Sequence, residues 1–291
     1  MTKYVSKPIV GILTFNAGVL MLPLSDGVVK SLSDSYSIPQ ILWMRFFFPF
    51  GLVLIMGWRA YGSQVFVTAK PKLVVWRSLF FLGASVCFAT AIKYVPLADT
   101  AALAGGEPVI LMVVSILVLR ERVNSTRWIA VALGLVAMLL IIRPGFESFH
   151  PASLLAVFVS FMAAGLMFMN RLLRGSVPPL VIMLYQLFIA LLVWTPVMPF
   201  VWIQPVALDI ILITIGSLAN ICGHLMIIRA FDFADTSLLS PFIYSSLITH
   251  TLLGYLLFGD FPDLLAWIGI VLLVGTGVYV SSRDTDFQVV K

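Results

Sequence analysis

Ten apolar runs of roughly 20 residues follow one another along this chain, with only short polar stretches between them. A hydrocarbon core about 30 Å thick takes about 20 apolar residues of helix to cross, because backbone polar groups cannot stay unpaired in lipid. The runs lie near Pro8 to Lys30, Ile38 to Gly57, Leu73 to Tyr94, Thr100 to Leu119 and Trp128 to Ile142. The others lie near Ser153 to Leu172, Leu180 to Phe200, Leu208 to Ile228, Ser237 to Phe258 and Leu264 to Val280. Barrel strands would alternate in polarity over about ten residues, and these runs do not. The expected fold is therefore all-α and integral to a membrane, with ten transmembrane helices.

Composition closes the other routes. Hydrophobic residues make up 61% of the chain and charged residues 11%, too few to cover a soluble surface. The net charge of +5 sits in short Lys/Arg clusters between runs, so it speaks of membrane orientation and not of nucleic acid. The first run is too long for a signal-peptide core and is read as a retained helix. Cys87 and Cys222 lie inside apolar runs without partners at metal spacing, so neither a disulfide nor a metal is expected.

If the N-terminus is cytoplasmic, Lys3, Lys7, Arg59, Lys70, Lys72, Arg120, Arg122, Arg127, Arg171, Arg174, Arg229, Arg283 and Lys291 share the cytoplasmic side, thirteen cations against Lys30, Lys93 and Arg143. Both termini are expected to be cytoplasmic, in a bacterial-type inner membrane.

The second half of the chain echoes the first. Ser37-Ile38-Pro39 matches Ser176-Val177-Pro178, and Trp128-Ile129 matches Trp267-Ile268, both at an offset of 139 residues. Between them, Ala91-Ile92-Lys93 and Ala98-Asp99-Thr100 match Ile227-Ile228-Arg229 and Ala234-Asp235-Thr236 at an offset of 136. Two repeats, 1–145 and 146–291, are expected. Each holds an odd number of spans, so the copies must enter the membrane from opposite sides. Inverted repeats of this kind suit alternating access around a central site.

These features resemble the drug/metabolite transporter superfamily, and within it the ten-helix EamA-type carriers. The likeness extends to a loose signature over Leu97 to Arg122, with Pro108 and Leu119-Arg120-Glu121-Arg122, repeated over Phe233 to Asp260 with Pro241. The second copy lacks the Arg-Glu-Arg run and carries Tyr244-Ser245-Ser246 near the place of Gly105-Gly106-Glu107-Pro108. The resemblance implies a basket-like bundle around a central cavity. Carriers of this kind include exporters of aromatic and other amino acids and uptake carriers for vitamins or nucleoside-like metabolites.

Ionisable groups at membrane depth cost about 2.5 to 3.5 kcal/mol on insertion scales, so each needs a partner or a wet cavity. Asn16, Pro23, Gly27 and Lys30 recur at helical spacing along span one, beside Asp26, and Pro23 with Gly27 would weaken the helix there. Asp26 and Arg45 lie at similar depth and are predicted to pair; a free Arg45 could instead clamp a carboxylate. Glu107 could carry a coupling proton or bind an ammonium, or it could simply join two helices. Asn220 and His224 share a face of span eight, and span nine offers Tyr244, Ser245, Ser246, Thr249 and His250, as substrate contacts or as interhelical glue. Tyr185, Gln186 and Trp194, with Trp43, are candidates for an aromatic cavity wall, whereas Trp76, Trp128 and Trp267 suit the membrane interface.

No Walker loop, His-Glu-x-x-His or Gly-x-Ser-x-Gly motif is present, which excludes direct drive by ATP. The sequence reading is a monomeric secondary carrier without cofactor, proton- or gradient-coupled or facilitative, moving small zwitterionic metabolites, amino acids first. Uptake of riboflavin or S-adenosylmethionine is the rival within transport. An intramembrane enzyme acting on a lipid-linked substrate is the rival outside it.

Overall fold

The computed structural model describes residues 7–107, 109–110, 125–144, 149–173, 175–230, 233–234 and 236–284. The first half contributes α1 (Lys7–Leu32), α2 (Ile38–Tyr61), α3 (Pro71–Tyr94), α4 (Leu97–Ala104) and α5 (Ser125–Ile142). The second contributes α6 (Ser153–Leu173), α7 (Pro179–Trp194), α8 (Ala207–Ala230), α9 (Ser245–Phe258) and α10 (Leu264–Asp284). No strand occurs among the described residues. Six of the helical spans are long and apolar enough to cross a bilayer, and shorter apolar helices cover Val131–Ile142, Phe242–Phe258 and Leu264–Tyr279.

The matched Ser-x-Pro segments sit where helices begin. The Ser37 hydroxyl accepts the Gln40 amide and caps α2, while Pro178 occupies the cap position of α7. Proline suits these places because the first-turn amides have no partner to lose.

The packing has the symmetry of the repeat. Among the described residues, the nine most extensive helix pairings are α1 with α8 and α9, α2 with α7 and α8, α3 with α6 and α7, α4 with α6 and α9, and α5 with α10. Exchanging each helix for the one five places along maps this set onto itself. The two inverted halves therefore interlock, and every one of these pairings joins one half to the other.

The bundle is inside-out relative to a soluble protein. Leu264, Ile248, Val271 and Leu208 are exposed, while Asp26, Arg45, Arg77, Glu107 and Gln40 are buried. Such a surface is stable only against lipid.

At the α1–α8 contact the backbones approach closely. A Cβ on Gly18 would meet the Gly223 carbonyl oxygen at 2.7 Å, and one on Gly223 would meet that of Gly18 at 2.8 Å. Reciprocal small residues let backbones touch, the usual basis of tight packing in membranes. Contrary to the expected weak point in span one, α1 runs unbroken through Pro23. Its packing against α8 holds it.

Candidate functional site

The helix breaks fall elsewhere. After Ala104 the chain turns at Gly105 and Gly106 before resuming helical geometry at Glu107. The break frees carbonyls, and the Ser160 hydroxyl on α6 lies 2.6 Å from that of Leu103 and 3.3 Å from that of Ala104. A Cβ on Gly106 would meet Met138 Cε at 1.7 Å, so a larger residue there requires the Met138 side chain to move. The repeat offset of 136 carries Ala104 to Ser240, where the second copy also departs from α geometry. A short helix, Thr236–Leu239, gives way to a 3-10 segment, Ser240–Tyr244, ahead of α9.

Asp26, Arg45 and His250 meet in the core. Arg45 Nη2 donates to Asp26 Oδ1 at 3.1 Å, the pairing predicted from depth, so Arg45 is not free to clamp a carboxylate. Asp26 Oδ2 lies 3.3 Å from His250 Nε2, and His250 Nδ1 lies 2.9 Å from the Ser246 carbonyl. Both ring nitrogens thus face acceptors. Both contacts are hydrogen bonds only when the ring carries two protons or the carboxyl carries one. Phe88 packs edge-on against the His250 ring.

A second polar group centres on Arg77, which the sequence reading passed over. It is buried on α3, donates from Nε to Asn170 Oδ1 at 3.0 Å and from Nη1 to Gln186 Oε1, and lies over the Phe81 ring. His224 packs edge-on against the same Phe81 and lies within electrostatic reach of Arg77, Arg45 and Asp26.

The other predicted residues divide. Asn16 Oδ1 accepts the Ser245 hydroxyl at 2.8 Å, joining α1 to α9. Asn220 is buried one helical turn before His224, and Thr249 is half-buried beside His250. Glu107 is buried without a hydrogen bond or ion pair among the described residues, within electrostatic reach of Tyr244. The Tyr244 hydroxyl is buried without a hydrogen-bond partner among the described residues, in a notch where a Cβ on Gly277 would stand 1.8 Å from it. Tyr185 is not brought to these groups; its hydroxyl donates to the Phe66 carbonyl at 2.8 Å in the α2–α3 connection. Trp43 likewise stacks on Phe47 and meets Trp202 edge-on, an aromatic cluster near the helix ends. Pro108, Leu119 to Arg122 and Asp235 lie outside the described residues.

An even number of spans leaves residues 7 and 284 on one face. The opposite face is fastened across the halves. Lys30 pairs with Asp260 at 2.6 Å, Arg143 pairs with Asp263, and Tyr36 donates to Asp209 at 2.6 Å. The Gln40 amide both donates to the Ile203 carbonyl, at 2.5 Å, and accepts its N–H, at 3.0 Å. Arg143 and the Ala266 amide together hold the Asp263 carboxyl below its ordinary range, and Asp209 pushes the Tyr36 phenol up. On the face of the termini, a cavity of about 420 Å³ opens between α1, α2, α7 and α8, lined by Thr14, Met56, Leu180, Leu225 and Arg229 among others.

The EamA-like transporter family matches this chain twice, over residues 9–143 and 150–283. The chain belongs to that family. Among EamA relatives, an S-adenosylmethionine uptake transporter of Rickettsia prowazekii is 20% identical over 270 residues, covering 93% of this chain and 92% of the relative. A riboflavin transporter of Vibrio cholerae is 29% identical over 196 residues, covering 66% and 64%. A pseudopaline exporter of Pseudomonas aeruginosa is 26% identical over 269 residues, covering 89% and 93%. A solved crystal structure superposes with a TM-score of 0.60 at 19% identity, covering 94% of this chain and 96% of that one, a likeness of fold alone.

Proposed function

We propose that this EamA-family chain is a secondary carrier that moves a small metabolite by alternating access between its two halves. The observation that carries this reading is the pair of helix breaks at equivalent positions of the two copies, after Ala104 and at Ser240–Tyr244. Broken helices at repeat interfaces expose backbone groups where a solute can use them.

The solute class is a metabolite bearing an α-amino-carboxylate head, either a free amino acid or a larger molecule that ends in one. Buried groups of both signs, Asp26 with Arg45 and His250, and Arg77 apart from them, favour a zwitterion over a purely anionic ester. S-adenosylmethionine has such a head, so uptake of that solute joins amino acid export under one recognition chemistry. The coupling ion in this reading is a proton held at Glu107 or between Asp26 and His250. Both termini face the cytoplasm of a bacterial inner membrane, and one chain forms the complete path.

Purified protein in proteoliposomes, given radiolabelled amino acids and S-adenosylmethionine with and without an imposed pH gradient, tests this. Transport of a solute with that head is the expected result. Uptake of riboflavin alone would establish the second reading, which the 29% identity to the Vibrio cholerae riboflavin transporter favours. Turnover of a lipid-linked substrate with no solute moved would reject both.

A further inference from the structure

Arg45 has Asp26, Lys30 has Asp260 and Arg143 has Asp263, but Arg77 has no carboxylate partner among the described residues. It is the most deeply buried of these four cations, at 3% exposure. A guanidinium carries five N–H donors, and among the described residues the two directed at the amide oxygens of Asn170 and Gln186 have an acceptor. Those amides orient the side chain without neutralising it. His224 has Arg77, Arg45 and Asp26 within electrostatic reach, and Asp26, the acid of that set, is already paired with Arg45.

We propose that Arg77 receives the anionic end of the transported solute, a carboxylate, between α3 of the first half and α6, α7 and α8 of the second. This rests on reading the chain as a carrier and names the residue that recognises its cargo. A planar carboxylate suits a guanidinium whose orientation two amides already fix, and it supplies the charge the site lacks. Phe81 lies beside the guanidinium, and His224, packed edge-on against that ring, belongs to the half that must part from α3 as access alternates. A solute bound here would bridge the halves.

The test compares acids with their decarboxylated counterparts on the full chain. The probes are S-adenosylmethionine and L-phenylalanine against decarboxylated S-adenosylmethionine and phenethylamine. In detergent, at least one acid should raise the melting temperature of the native protein where its amine does not, and Arg77→Gln should abolish the rise. In proteoliposomes, Arg77→Gln should raise KM for the acid about tenfold or more, with Arg77→Lys in between. Stabilisation by acid and amine alike, stabilisation by neither, or an unchanged KM in Arg77→Gln would overturn the assignment. If Arg77→Gln does not fold, the acid-against-amine comparison on the native protein decides by itself. A chain stabilised by acids through Arg77 that moves no solute keeps the site and refutes the carrier. A chain that carries riboflavin or an amine equally well with Arg77→Gln keeps the carrier and refutes the site.

Discussion

The face opposite the termini and the middle of the bundle handle charge in contrasting ways. At that face, Lys30 and Arg143 on the first half each meet an acid from the second, Asp260 and Asp263, in partly exposed pairs. In the interior Asp26 and Arg45 neutralise one another, while Arg77 and Glu107 are buried with no opposite charge among the described residues. Solvated pairs fasten halves together at little energetic risk. Uncompensated buried charge is costly, and a protein that keeps it gains something other than stability.

The contrast can be broken or sharpened by substitution. Arg45→Leu should have the largest effect on stability, about 3 to 5 kcal/mol in equilibrium unfolding, because it strands Asp26 in the core. Adding Asp26→Asn to that variant should recover much of the loss; no recovery would mean that the pair is not coupled. Lys30→Met should cost less, about 1 kcal/mol, since its partner Asp260 keeps contact with water.

Asp263→Asn should cost at most about 0.5 kcal/mol at neutral pH, because Asn still caps α10 through the Ala266 amide and only the exposed ion pair is lost. The Asp263 carboxyl titrates below its ordinary value in the folded chain, so its contribution is present above about pH 4 and fades as pH falls through the folded value. Melting curves of native and variant protein should therefore converge in acid; a gap that widens there would contradict the assignment. Glu107→Gln completes the series with no loss of stability, since it removes a charge that nothing among the described residues balances. A marked drop in its melting temperature would reveal a structural partner and place Glu107 with the fastened charges.

The ten spans were legible because lipid leaves a chain few alternatives, and the repeat because short matches kept their order. Equal depth along two adjoining spans was enough to pair Asp26 with Arg45. Arg77 was not legible: six residues into α3, it looks in sequence like one more cation near a membrane face. Its burial follows from how α3 packs against α6 and α7, which local sequence does not encode. The breaks were not legible either. The break at Gly105 and Gly106 was not read from the sequence, while Pro23 and Gly27 pointed to another that the close α1–α8 contact suppresses. His250 was noted among the polar residues of span nine, yet nothing local pointed to Asp26, 224 residues away, as its partner.

Tyr244 and Gly277 fit as key and slot, with no room for even a methyl group at residue 277 while the phenol is in place. The two positions are consequently not free to drift independently over evolutionary time. Lineages that enlarge residue 277 must first or simultaneously shrink residue 244, and since Tyr244 ends the 3-10 segment beside Glu107, each such exchange would reshape the helix break as well. Covariation of these two columns among relatives is the expected mark of that shared space.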